Sequence, residues 1–159
     1  MSWGSVLLWG FFATVVLTTT MSASQGLRLS RMGIPFLLGT MLTPDRKRAS
    51  LAGFAMHFAN GWLFALLYAL AFEAWGDATW WLGAGLGLVH GFAVLAALMP
   101  LLPSLHPRMA SEDHGPEPTP QLEPPGFLAL HYGRGTPVVT LLAHALYGGI
   151  LGGFYTLSR

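Results

Sequence analysis

The chain contains no cysteine. A disulfide framework, a thiolate metal site and a cysteine nucleophile are all excluded, and the redox compartment stays open. Charge is also scarce: Asp, Glu, Lys and Arg make up 9% of the 159 residues, against roughly 25% in a soluble domain. The formal net charge of +1 provides no field that would gather nucleic acid, so nucleic acid is not an expected partner. Catalytic signatures are missing too. There is no H-E-x-x-H, no G-x-S-x-G, no glycine-rich loop ahead of Lys-Ser/Thr and no carboxylate pair within an apolar run. Nothing here predicts an enzyme.

What is present is apolar length, with 53% of residues hydrophobic. A helix crossing about 30 Å of hydrocarbon needs about 20 apolar residues. Four stretches meet that length: 3–21, 51–72, 79–102 and 137–157, and none carries a charged residue in its interior. A soluble helix would need one polar face, and these have none. The expected fold is an all-α membrane protein, one integral membrane domain over 1–159 with four transmembrane helices. The first residues, Met-Ser-Trp-Gly, lack the basic start of a cleaved signal, so the first span is expected to stay.

Lys and Arg set the expected orientation. Arg28, Arg31, Arg46, Lys47 and Arg48 follow the first span, and Arg108 and Arg134 lie between the third and fourth, whereas the loop after the second holds only Glu73 and Asp77. Both termini are therefore expected outside the cytoplasm, in a cell membrane of the bacterial inner-membrane kind. Trp3, Trp75, Trp80 and Trp81 would form an outer aromatic belt. Residues 32–43 are apolar but too short to span, which predicts an interfacial segment. The first loop's five cations would then sit on lipid headgroups. Residues 103–125 hold seven prolines among acidic residues, which predicts an extended, non-helical cytoplasmic loop before the fourth helix. Residues 126–134 read as a short interfacial piece.

The second and fourth spans share a pattern. His57, Gly61, Tyr68 and Leu70 recur 87 residues later as His144, Gly148, Tyr155 and Leu157, and Gly10-Phe11 recurs more faintly 81 residues later as Gly91-Phe92. This predicts two helical hairpins related as a parallel repeat. Helical spacing puts His57, Asn60, Gly61 and Tyr68 on one face, and His144, Tyr147, Gly148, Gly152 and Tyr155 on another. With His90 in the third span, they form an expected intramembrane polar face. Gly61, Gly83, Gly87, Gly91, Gly148 and Gly152 are expected to serve helix packing.

An ionisable residue within a span is a functional candidate, yet a neutral histidine can equally join helices by hydrogen bonds. His57 and His144, at like depth, have the placement of axial haem ligands. The three histidines together also suit a proton or divalent-metal path. The loop set His106, Glu112, Asp113 and His114 offers metal-ligand types as well, although a solvated loop explains it more simply.

Three motifs carry a resemblance: Met56-His57-Phe58-Ala59-Asn60-Gly61, Leu88-Val89-His90-Gly91 followed by Met99-Pro100, and His144-Ala-Leu-Tyr-Gly148. The chain resembles small bacterial four-helix inner-membrane proteins grouped in domain-of-unknown-function families. It is more distantly similar to inner-membrane proteins associated with acid tolerance, through a His-Phe-Asn-like helix and a proline-ended third span. The resemblance implies the fold and carries no chemistry onto these residues. The leading expectation is a non-enzymatic scaffold, accessory subunit or lipid-interacting component without a cofactor. Its partners would be the bilayer and another copy or membrane protein. The alternative is a small transporter or an ion-responsive protein using the histidine face; a b-type haem protein comes third. A cavity reaching His57, His90 or His144 separates the alternative from a scaffold, whose core would be filled.

Overall fold

The structure, a computed structural model, describes residues 1–111 and 121–158. Its elements are α1 (Trp3–Gly26), α2 (Ile34–Thr40), α3 (Arg46–Trp75), α4 (Trp80–Ala93), a π-helical turn over Val94–Leu98, α5 (Met99–Leu105), a tight helical turn over Phe127–Tyr132, and α6 (Thr136–Phe154). Among the described residues four helices are long and apolar enough to cross a membrane: α1, α3, the continuous run Trp80–Leu105 and α6. The protein is thus all-helical, with the span count the sequence predicts.

Local chemistry sets the ends. Asp45 accepts a hydrogen bond from the Arg48 backbone N–H at 2.8 Å and starts α3. Gly76, at φ +68°, closes α3 in the left-handed conformation that only glycine adopts cheaply. Pro35 and Pro137 occupy first-turn positions, where a missing N–H costs nothing.

The helix ends differ from the expected spans: α1 runs on to Gly26, and α3 extends from Arg46 to Trp75. The helix of the third span runs on to Leu105, with Pro103 inside it, so residues 103–105 are helical and not loop. The π turn makes room: the Met99 N–H reaches back to Val94 O, one residue further than in an α-helix, just ahead of Pro100. A widened turn relieves the clash between a proline ring and the carbonyl four residues before it. At the other end, α6 stops at Phe154, and Tyr155 to Leu157 leave the helix.

Helix α6 packs closely against α4 and α1, α1 against α3, and α2 against α3. In lipid, apolar surface gains nothing by leaving the solvent, so association rests on close contact. Glycine provides it. A methyl group on Gly83 would run into Gly148 O, and one on Gly87 into His144 O. On the other seam, Gly61 receives the side chain of Thr14. The matched glycines of the expected repeat are packed differently: Gly10 lies against Ala65 and Trp62, whereas Gly91 lies against His144.

Helices α3 and α4 follow one another in sequence yet make almost no close backbone approach. Phe64 and Tyr68 of α3 face His90 of α4 across the space between them. That separation creates the site described next. Large apolar side chains such as Leu7, Leu63 and Val89 remain exposed, which lipid accommodates. Trp3, Trp75, Trp80 and Trp81 are exposed as well and share the end of the bundle opposite α2.

Candidate functional site: an intramembrane histidine cavity

A cavity of about 130 Å³ lies between the helices, lined by residues of α1, α2, α3, α4, α5 and α6. His57, Asn60, His90, His144 and Tyr147 all border it. The remaining wall is apolar apart from Thr14 and Thr140, and among the described residues no Asp, Glu, Lys or Arg lines it.

The His144 Nδ1–H donates to Thr140 O, one turn back, at 2.8 Å. This fixes the neutral tautomer and leaves the Nε2 lone pair free. Gly91 lets α4 approach the His144 Cβ, so the His90 ring meets the His144 ring edge to face, centroids 4.7 Å apart. Phe64 stacks on the other side of His90 at 4.0 Å, and the Tyr68 hydroxyl lies 3.4 Å from His90 Nδ1. Tyr147 donates its O–H to Gly61 O at 2.6 Å, tying α6 to α3. Among the described residues no hydrogen bond joins one of these histidines directly to another.

Three buried side-chain polar atoms lack a partner among the described residues: His57 Nε2, Thr140 Oγ1 and Thr79 Oγ1. The first two belong to residues lining the cavity. A buried polar atom left unpaired costs about 1–3 kcal/mol.

The structure brings together His57, Asn60, His90, His144 and Tyr147. Tyr68 stands behind His90 rather than on the cavity itself. Tyr155 is corrected out of the polar face: it caps α6 at the far end, and its O–H donates to Glu73 Oε1 at 2.7 Å. Helix α6 ends before that residue, so helical spacing does not carry the face so far. Gly61 borders the cavity, whereas Gly83, Gly87, Gly91, Gly148 and Gly152 lie on the α4–α6 seam or next to it.

At the α2 end the expected extended loop is partly built into the fold. His106 is fully buried; its Nε2–H donates to Leu37 O at 3.0 Å, and its Nδ1 accepts from the Arg108 N–H at 3.1 Å. Both ring nitrogens are committed, which leaves no lone pair for a metal. Its expected companions Glu112, Asp113 and His114 lie outside the described residues. Arg108 donates to Thr40 O at 2.7 Å and Met41 O at 3.2 Å, capping the carbonyl end of α2. Residues Met109 and Leu122 bridge the two arms of the loop. The Tyr132 O–H donates to Glu123 O at 2.6 Å; burial and then the Glu123 charge push its phenol up to about 12, so it stays a donor. Helix α2, thus held, supplies Leu37 and Leu38 to the cavity wall.

The five expected headgroup cations divide. Arg31 pairs with Glu123 at 3.0 Å and donates to His131 O, and Arg46 lies over the Phe36 ring at 5.1 Å. Arg28, Lys47 and Arg48 are exposed at the same end.

Sequence reading missed Thr14, Phe64 and Thr140, and it missed the methionines Met21, Met32, Met41 and Met99 that line the cavity. Thr140 was within reach, because it stands one turn before His144 on the same face. Among the described residues no three His, Asp or Glu side chains stand together as a ready-made metal cage. Compared with protein-family models, curated proteins and solved structures, the chain matches none.

Proposed function

We propose that this is a multi-pass membrane protein that takes up a small ligand or ion within the bilayer, using the cavity bordered by His57, His90 and His144. One observation carries the reading: a single cavity receives all three histidines, and two of its lining residues, His57 and Thr140, carry buried polar atoms without a partner among the described residues. A scaffold gains nothing from unpaired polar atoms beside empty space, since filling the space with side chains would be more stable. Transport or ion sensing therefore accounts for the site better than a scaffold or accessory role. The haem alternative is poorly supported. A cavity near 130 Å³ matches the roughly 150 Å³ that admits benzene, and a tetrapyrrole would force the helices apart.

The excess of Lys and Arg at the α2 end supports placing that end in the cytoplasm, with both termini outside, and supports an inner-membrane setting. Exposed Arg28, Lys47 and Arg48 would then meet lipid headgroups. The recurrence of His57 and Gly61 as His144 and Gly148 supports a duplicated hairpin.

The test is to extract the protein from membranes with its surrounding lipid and identify the small molecules and metals it retains by mass spectrometry. The comparison is Thr140→Phe, which fills the cavity. The reading expects a species carried by the wild type and missing from the variant. Identical contents would overturn it.

A further inference from the structure

We propose that the cavity is a binding site for a soft monovalent metal ion of the Cu(I) type, held by imidazole nitrogen and methionine thioether. This rests on the cavity being a ligand site, and goes further by naming the ligand's chemistry.

The donor set comes first. Of seven methionines in the chain, Met21, Met32, Met41 and Met99 line this one cavity. They come from separate places: the last turns of α1, the two flanks of α2, and the start of α5. Met21, Met32 and Met99 are buried. Thioether sulfur and neutral imidazole are soft or borderline donors, the kind that select Cu(I) over hard cations.

Charge narrows the choice. No Asp, Glu, Lys or Arg borders the cavity, and the chain has no cysteine to offer a thiolate. A divalent ion would carry its full double charge into a low-dielectric space without compensation. Because the cost of desolvating an ion rises with the square of its charge, a monovalent ion costs about a quarter as much. Carboxylate-seeking ions such as Mg²⁺ and Ca²⁺ find no ligand here.

The histidine geometry supplies the third argument. A metal-bound histidine nearly always donates its other ring N–H to a carbonyl or carboxylate, which fixes tautomer and ring direction. His144 already does so through Thr140 O, leaving Nε2 as a free lone pair. His57 lines the same cavity, and its Nε2 is buried without a partner among the described residues. A low-coordinate ion bridging imidazole to a thioether would satisfy it. No three-histidine cage is needed for that. Methionine also fills gaps in ordinary cores, and the experiment separates the two roles.

Full-length protein in lipid nanodiscs is titrated anaerobically with ascorbate-reduced copper against bicinchoninate, a coloured Cu(I) chelator; Ag(I) calorimetry serves as a redox-silent repeat. The expected result is one Cu(I) per chain, lost in His144→Gln. In the quadruple Met→Leu variant at positions 21, 32, 41 and 99, affinity should fall at least about 10-fold, as when the support of a metal site is removed. Leucine conserves volume, so that variant tests the sulfur atoms even if His144→Gln does not fold. Met109→Leu, off the cavity, should bind as the wild type does. Absence of stoichiometric Cu(I) in the wild type would overturn the proposal, as would binding indifferent to His144→Gln or to loss of the four sulfurs. If Thr140→Phe still removes some other retained molecule, only the metal assignment falls. If it removes nothing, the ligand site itself falls.

Discussion

His90 and His144 meet edge to face, ring centroids 4.7 Å apart and planes at 85°, because glycine at 87 and 91 lets α4 lie against the backbone and Cβ of His144. The contact places one imidazole from each side of the α4–α6 seam on the same cavity. Replacing His144 by Ala removes the ring contact and the bond to Thr140 O. We expect a loss of about 1 kcal/mol, the scale of a polar contact between membrane helices, read by thermal or denaturant unfolding in detergent. A loss of several kcal/mol would mean that the ring mainly holds the bundle together.

The seam itself makes a sharper prediction. A methyl group on Gly83 meets backbone, Gly148 O, and no side-chain rotation can relieve it; one on Gly85 meets nothing within 4 Å. Gly83→Ala should cost about 1–3 kcal/mol or more as α4 and α6 are forced apart. Gly85→Ala should be neutral or slightly stabilising, since alanine is the better helix former. Parallel melting curves of the two variants check this.

Arg108 holds the end of α2 by donating to Thr40 O and Met41 O. Arg108→Ala leaves those carbonyls without their charged donor, and bonds to charged groups are worth about 1.5–3 kcal/mol. Amide exchange over residues 34–41 should rise in the variant while α6 exchanges as before. Unchanged exchange would mean that α2 is held by its contact with α3 alone.

Orientation follows from the cations gathered at the α2 end. A phosphatase reporter inserted at 76–78 should be active outside the cytoplasm, and one inserted within 106–111 should be inactive there. The reverse pattern would invert the bundle.

The four spans were legible because the bilayer imposes a length of about 20 apolar residues on any crossing helix, and composition alone reveals that. The seam glycines were legible from helical spacing. What escaped the sequence is what depends on two distant segments at once. His106 and Arg108 become structural only because the α2 carbonyls arrive 67 to 69 residues away in the chain, so the proline-rich stretch read as free loop. Pro103 lies inside the helix that continues beyond the π turn at Val94–Leu98, whereas proline alone signals a break. Met21, Met32, Met41 and Met99 share no periodicity, since they reach the cavity from separate elements. The cavity exists because α3 and α4 stay apart, a relation that no single segment encodes.

The central claim is that the cavity bordered by the three histidines is open space inside the membrane. The absence of cysteine makes the chain ready for a direct measurement, single-cysteine labelling of His90→Cys in lipid nanodiscs with a small methanethiosulfonate reagent. Ala13→Cys, at a position buried in the α1 core, is the sealed control. The account predicts that Cys at 90, a partly exposed position lining the cavity, is modified while Cys at 13 is not. Equal resistance at both positions would show a filled core and contradict it.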